Sequence, residues 1–426
     1  MKDKEISDSK GENMGLNETP SANRLHIGIF GNRNAGKSSL INGITGQDLA
    51  IVSSVKGTTT DPVQKAMELL PLGPVVMIDT PGLDDEGALG AQRVKKSLQV
   101  LRKTDCALLV LDGTVIKSSK YHLSEVELEL IQNVEDRKIP FFYVINKCEE
   151  ISKEEIERIK KSSWYQEEQT FFVSAATKEG IRELKDAIAK ELSQGQQEKM
   201  LVRDLLKEDD VVVLVTPIDE AAPKGRMILP QQQTIRDILD GNAICMVTKE
   251  TQLERTLNCL KESPRLVITD SQAFKIVNEI TPKQIPLTSF SILFARLKGN
   301  LPQQVKGAVS ISKLEDGDKV LIAEGCTHHR QCGDIGTEKL PKLLKKFTGK
   351  DLQLDFCSGT QFPENICEYR IIIHCGGCML NEKEMQYRLS LAREKGIPMT
   401  NYGVAIAYMN GILARSLELF PEHKLL

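Results

Sequence analysis

The chain lacks any apolar run long enough to span a bilayer, and its first residues lack the apolar segment of a signal peptide. Residues 1–23, "MKDKEISDSKGENMGLNETPSAN", are polar and charged and read as a disordered leader. It also lacks an excess of charge. The net charge is −3, so no global field favours nucleic acid or an anionic membrane. Aromatics make up only 5% of the residues, too few to suggest a base-stacking surface. The expectation is a cytoplasmic protein with no membrane and no nucleic-acid partner. In that reducing compartment the ten cysteines read as thiols rather than disulfides, some packed in cores and some clustered for a metal. At 426 residues the chain should divide into two to four domains.

A phosphate cradle opens the folded part. In "RLHIGIFGNRNAGKSSLINGI" a buried strand, Leu25–Phe30, meets a helix starting near Ser38 through Gly31-x-x-x-x-Gly36-Lys37-Ser38, followed by Ser39. The glycines let backbone N–H groups turn toward phosphates, Lys37 reaches the terminal phosphates, and the Ser38 hydroxyl suits Mg²⁺. Three further strands end in chemistry. "VVMIDTPG" ends in Asp79, a water-mediated Mg²⁺ partner, with the Gly82 N–H placed for the γ-phosphate. "FFYVINKCEE" ends in Asn146-Lys147-x-Glu149, whose carboxylate can accept both guanine N1–H and N2–H. "QTFFVSAAT" ends in Ser174-Ala175, a backbone contact for guanine O6. Four motifs in this order, each at a strand's carboxyl end, point to GTP and GDP with Mg²⁺. Leu83 follows Gly82 where Ras-like enzymes place a water-orienting glutamine, so hydrolysis should be slow and switch-like.

Residues 24–195 resemble the TrmE/Era-like bacterial GTPases through "GNRNAGKSS", "KGTTTDP", "DTPG", "NKCE" and "SAA". The resemblance implies that Thr59, or its neighbour Thr58, ligates Mg²⁺ when the γ-phosphate is present. It also implies that Asn34 helps to hold K⁺ beside the phosphates, with K⁺ substituting for an arginine finger. Glu149 departs from the family's aspartate by one methylene.

After the polar stretch "SQGQQEKM", a β-α-β-α-β-α order over 200–282 predicts a small parallel sheet with no nucleotide fingerprint, suited to oligomerisation. Its loop carrying Lys224 and Arg226 reads equally as solvated surface or as a partner contact. Cys245 and Cys259 read as packing residues, as do Cys106 and Cys148. The prolines of "PKQIPLTSF" mark a further boundary. Beyond it, a strand at Lys319–Ala323 exits into Cys326-x-His328, and a strand at Tyr369–Ile373 exits into His374-Cys375-x-x-Cys378. If these strands are parallel neighbours, their ligand-type residues share one sheet edge. Three thiolates with an imidazole would make a zinc site; three thiolates would equally hold three irons of a 4Fe–4S cluster. Cys332, Cys357 and Cys367 lack the strand-exit spacing, His329 is an extra residue, and His26, His122 and His423 read as structural or exposed.

The C-x-H and H-C-x-x-C pair behind a GTPase region, with "TPIDEAAPKGRMILPQQQTIRDILDG" and "TNYGVAIAYMNGILAR", resembles the FeFe-hydrogenase maturation GTPases, the HydF family. The resemblance implies three α/β domains: a P-loop GTPase domain (24–195), a dimerisation domain (200–282) and a cluster-binding domain (283–426). It implies a 4Fe–4S cluster on Cys326, Cys375 and Cys378, with His328 and His374 as fourth ligand or in the surrounding shell. It further implies a homodimer that carries a transient di-iron precursor, works with two radical-SAM maturases and serves apo FeFe-hydrogenase. The rival readings are a tRNA-modification GTPase and a zinc-stabilised regulatory GTPase.

Overall fold

The computed structural model describes residues 19–46, 62–83, 96–194, 199–217, 227–325, 334–359, 361–363 and 365–420. The chain forms two compact units, dividing between Gln196 and Gln197.

The first unit is built on a six-stranded sheet. Its strands are β1 (Leu25–Gly31), β2 (Val63–Leu69), β3 (Gly73–Asp79), β4 (Cys106–Asp112), β5 (Phe141–Asn146) and β6 (Thr170–Phe172), in the spatial order β2-β3-β1-β4-β5-β6. All neighbours run parallel except β2 against β3. Side-chain alternation sends Ile27 and Ile29 of β1 to one core and Phe30 to the other. The first core receives Leu40, Ile41 and Ile44 of helix Lys37–Thr45 and Ile188 of helix Ile181–Gln194. The second receives Leu130, Ile131 and Val134 of helix Glu125–Asp136. With both faces covered, the central strands are almost wholly apolar and their carboxyl ends are left as the polar edge.

The second unit holds two all-parallel four-stranded sheets. One has β7 (Val211–Val215), β8 (Ile244–Thr248), β9 (Leu266–Thr269) and β10 (Leu287–Ser289), in the order β10-β9-β7-β8. The other has β11 (Lys319–Ala323), β12 (Gln353–Cys357), β13 (Ile371–His374) and β14 (Met399–Asn401), in the order β12-β11-β13-β14.

The second sheet runs past residue 282. The end of the proline-containing stretch is β10, paired with β9, and helix Phe290–Lys298 packs into the same core. Near the C-terminus, helix Tyr402–Met409 serves both cores: Val404 and Ala407 pack with the second sheet, and Tyr402, Ala405, Ile406 and Met409 with the third. Leu413, Leu417 and Phe420 return to the second sheet's core, and Arg415 donates to the carbonyls of Asn278, Thr281, Pro282 and Ile285. The prolines at 282 and 286 therefore lie inside a tied segment rather than in a linker. Cys245 is half-buried on β8, but Cys259 is the exposed last residue of helix Leu253–Cys259, so it is no packing residue.

Candidate functional site

The phosphate loop leaves β1 at Gly31 and enters helix Lys37–Thr45 at Gly36, which takes a left-handed conformation at φ 87°. A Cβ on Gly36 would stand 2.2 Å from Asn146 Nδ2, so only glycine fits. Asn34 also has positive φ, at 63°, and its side chain is exposed, as is Ser39. The Lys37 side chain is buried and curls along the loop, donating to the carbonyls of Gly31 and Asn32 at 2.9 Å each. Ser38 Oγ donates to Asp79 Oδ2 at 2.6 Å. Burial pushes the Asp79 carboxyl up, opposed by Ser38 and by the charges of Lys37 and Lys65. Its second oxygen, Oδ1, is buried without a hydrogen-bond partner. A hydroxyl and a carboxylate in contact, with one carboxylate oxygen left over, form the hard-oxygen donor set that suits Mg²⁺ and its waters. Gly82 stands half-buried after Pro81, and Leu83 points into the core, so it offers no group to orient water.

The base-reading side is organised by Asn146. Its Nδ2 donates to Ala35 O at 2.9 Å, and its Oδ1 accepts from Ala175 N–H at 3.1 Å. One buried side chain thus ties the phosphate loop to the Ser174-Ala175 loop. Ser174 is itself buried, and its Oγ accepts from Thr177 N–H at 2.9 Å. Lys147 takes φ 61° and pairs with Asp112. Burial opposes ionisation of Asp112, but hydrogen bonds from Lys147 and Thr114 outweigh it and hold its carboxyl below the usual carboxylate range. Glu149 lies exposed on the turn Cys148–Glu150, its carboxylate free of the core. Sequence reasoning missed Glu127, whose Oε1 accepts from Asn32 Nδ2 at 3.0 Å while Oε2 accepts from Ser124 N–H at 2.8 Å. It anchors the phosphate loop to helix Glu125–Asp136. The Ser-x-x-Glu capping box was its visible signal.

On the third sheet, β11 and β13 are parallel neighbours, with Ala323 opposite His374. The two exits touch. Gly325 N–H donates to Cys375 Sγ at 3.0 Å, Gly377 N–H donates to the same sulfur at 3.4 Å, and Cys375 N–H donates to Ala323 O at 2.8 Å. A Cβ on Gly325 would press within 2.7 Å of Leu380. Sulfur that accepts two backbone N–H groups is in the setting that stabilises a thiolate toward a soft metal. Cys326 follows Gly325 directly but lies outside the described residues, as do Thr58, Thr59, Lys224, Arg226, His328, His329, Cys332 and His423. Among the described residues, no group of three or more metal-ligand side chains is assembled. The described part of the cradle is therefore Cys375 and Cys378, beside the chain that leads into Cys326.

Of the two places open to His374, fourth ligand or surrounding shell, this geometry fits the second. It is fully buried, and Arg388 Nη1 donates to its Nε2 at 2.8 Å. Arginine has only donors, so Nδ1 carries the proton and donates it to Cys375 O at 2.7 Å. Neither ring nitrogen is left to bind a metal; His374 orients the Cys375 peptide instead. Arg388 also donates to Glu384 Oε1 at 2.9 Å and Gly359 O at 2.8 Å. The Glu384–Arg388 spacing of four is present in the sequence, but spacing alone does not say that the pair is buried.

Cys357 also needs correction, because it ends β12 on this same edge. It packs, however, on the Leu321–Ala323 face, whereas Cys375 packs on the opposite face, and burial raises its thiol to about 11. Burial and the Cys375 sulfur push the Cys378 thiol up, while the Lys298 charge pulls it down. Lys298 had no sequence signal. It is buried, donates to Leu380 O at 2.9 Å and to Cys378 O at 3.3 Å, and burial pulls its ammonium down to about 8.

Comparison with known proteins fits this division. Residues 26–147 match the 50S ribosome-binding GTPase family model. A tRNA modification GTPase MnmE from Legionella pneumophila (strain Corby) is 36% identical over 165 residues, covering 38% of this chain and 34% of its own length. The chain thus spans about a third of the MnmE proteins it matches. GTPase Era from Heliobacterium modesticaldum is 29% identical over 230 residues, covering 48% of this chain and 74% of its own. Among solved structures, a variant of Era from Aquifex aeolicus bound to GDP and AlF4⁻ superposes with a TM-score of 0.34 at 21% identity, covering 53% of this chain and 93% of that one. Residues 201–299 match the hydrogen maturase F dimerization domain and residues 302–419 its tetramerization domain. With these two models running through nearly all of the second unit behind a GTPase domain, the chain belongs to the hydrogen maturase F family.

Proposed function

We propose that this chain is a GTP-binding, slowly hydrolysing iron–sulfur scaffold that assembles or delivers the di-iron precursor for apo FeFe-hydrogenase. The observation that carries the reading is the Gly325 N–H bond to the Cys375 sulfur, which brings the residue before Cys326 onto the thiol of the second motif. Cys326, Cys375 and Cys378 would hold a 4Fe–4S cluster, which would supply an iron with an exchangeable ligand. His328 is the remaining histidine candidate for that position. Among the described residues no two cysteines are joined in a disulfide.

In the GTPase unit, Gly31–Ser38 wraps the phosphates. Ser38 and Asp79 hold Mg²⁺ with Thr59, and Glu149 reads guanine beside Asn146, Lys147, Ser174 and Ala175. Asn34 would help to hold K⁺, which would provide positive charge beside the phosphates, where Leu83 offers no group to orient water. Nucleotide state would alter how the homodimer meets the two radical-SAM maturases and the hydrogenase; equal partner affinity and equal maturation yield with GDP and a non-hydrolysable GTP would sink that coupling.

The test of the central reading is anaerobic purification with iron, sulfide and zinc analysis, and EPR after reduction, alongside Cys326→Ala, Cys375→Ala and Cys378→Ala. About four irons and four sulfides per chain, with the reduced signal lost in each variant, supports it. One zinc without an iron-dependent signal refutes it and leaves a structural metal site.

A further inference from the structure

Cys378 lies on the exit loop of the third sheet, but the charge nearest its backbone comes from the second. Lys298 is the last residue of helix Phe290–Lys298, whose Phe290, Ile292, Leu293 and Phe294 belong to the second sheet's core. The lysine is 5% exposed. Its ammonium donates to the carbonyls of Leu380 and Cys378, and lies 5.7 Å from the Phe294 ring centroid. Its own carbonyl accepts from Gln386 Nε2 at 3.0 Å, on the helix that follows the cysteine loop. The lysine is therefore held at both ends.

Burying an ammonium costs several kcal/mol unless charge compensates it. Two carbonyls satisfy two of its three N–H donors. No carboxylate among the described residues forms an ion pair with it. A leucine ending this helix would meet the same apolar neighbours without the desolvation penalty. What favours its charge is Cys378 first and, without an ion pair, the Glu382 carboxylate second.

We propose that Lys298 is a positioning residue for the cluster site, lent by the second sheet: it fixes the loop that carries Cys378 and places a positive charge beside the sulfur ligands. This rests on the cluster reading above. Two consequences follow from Coulomb's law and from loop order. A nearby positive charge makes an added electron more stable, so it raises the reduction potential of the bound cluster. A pinned loop holds its cysteine in place, so it slows loss of iron.

The experiment uses the full chain, reconstituted with iron and sulfide, as wild type, Lys298→Gln, Lys298→Met and Lys298→Arg. Glutamine keeps N–H donors without the charge; arginine keeps both. The readouts are the midpoint potential by redox titration, iron loss to a chelator, and the thermal transition of the cluster-free protein. The expected result is a more negative potential in K298Q and K298M, recovery in K298R, and iron held about 10- to 100-fold more weakly in K298M. If K298Q and K298M fail to take up a cluster while K298R does, at unchanged thermal transitions, the proposal also stands. Potentials equal to wild type in K298Q and K298M overturn it. So does a change shared by all three variants together with a lowered thermal transition, which would make Lys298 a packing residue only. If wild type itself takes up no cluster, the scaffold reading has failed and this inference with it.

Discussion

Replacing Arg388 with methionine tests the network that orients the thiol cradle. The Arg388 side chain is 0% exposed and serves three acceptors: Glu384 Oε1, His374 Nε2 and Gly359 O. Its guanidinium also stands 4.9 Å from the Phe362 ring centroid. Methionine has similar reach and adapts its shape, so the cavity contribution is small. What remains is the loss of partners. Each buried acceptor left unsatisfied costs about 1–3 kcal/mol, and breaking a buried ion pair by removing one member costs about 3–5 kcal/mol. The Glu384 side chain keeps 12% exposure, so part of its loss is recovered by water. The expected destabilisation is about 5 kcal/mol, the low end of the sum of about 1 for each of the two acceptors and about 3 for the ion pair. Denaturant unfolding of the full chain reads it cleanly, because the one tryptophan, Trp164, lies in the first unit. Its fluorescence should report an unchanged transition, while far-UV circular dichroism shows the second unit melting earlier. Glu384→Gln removes the stranded carboxylate, so the double variant should lose less than the sum of the singles, with a coupling of about 1–3 kcal/mol. A loss below about 1 kcal/mol in R388M, or simple additivity with E384Q, would refute the reasoning.

His26 makes the first unit sensitive to acid. Burial lowers its imidazole from 6.5 to about 4, with the Arg24 carbonyl opposing the shift, so the folded state keeps it neutral where the unfolded chain takes up a proton. Stability is therefore complete above pH 6.5 and falls toward pH 4, by on the order of 3 kcal/mol in total; Trp164-detected unfolding at pH 7 and pH 5 should show a steeper loss in wild type than in His26→Gln, and parallel losses would count against it. On the outer strand β8, Ile244 and Val247 are each 48% exposed, and β8 is paired on one side only. Fully burying such a side chain contributes about 1.5–3 kcal/mol, and covering the half of Val247 still exposed about half of that on each subunit, so Val247→Lys should weaken the dimer about tenfold by sedimentation; unchanged association places the interface elsewhere. Glu149→Ala should lose two charge-assisted hydrogen bonds to guanine, about 1.5–3 kcal/mol each, and with them the preference for GTP over ATP; unaltered nucleotide competition would remove Glu149 from the base site.

The parts legible in the sequence were those in which one short segment states its own geometry. Gly31-x-x-x-x-Gly36-Lys37-Ser38 needs no distant partner to define a phosphate loop, and Ile371–Ile373 meeting His374 shows a buried strand that ends in polar chemistry. That β11 and β13 are parallel neighbours was a condition of the sequence reading, and the third sheet meets it. The illegible parts depend on long-range packing. β10 is three residues beside a proline, too short to carry a pattern. Helix Tyr402–Met409 is apolar on almost every side because two cores share it, so its periodicity names neither. The role of His374 depends on Arg388, fourteen residues on, in a mixed helix whose Met385, Leu389 and Ala392 share its burial. Burial, which no local pattern states, lets the Glu384–Arg388 pair anchor His374.

The three sheets use one rule with different outcomes. A parallel sheet exposes its strands' carboxyl ends to the starts of helices, and that edge is where side chains can converge. On the first sheet the edge carries Ser38, Asp79 and Asn146, oxygen and amide groups matched to phosphate, Mg²⁺ and a base. On the third it carries sulfur supported by backbone N–H groups and held by the buried His374–Arg388–Glu384 chain. The second sheet's edge ends in Thr248, Thr269 and Ser289; the Thr248 carbonyl accepts from Thr216 N–H, and Ser289 caps its own helix. Among the described residues that edge assembles no ligand set, yet the helix that Ser289 caps ends in Lys298, against the loop of Cys378. The helix from the second sheet's core thus reaches the loop of Cys378. If β8 forms the association surface, Val247→Lys should also change the rate of iron loss at Cys378, because Cys245 and Met246 of β8 pack in one core with helix Phe290–Lys298; an unchanged rate would separate the two.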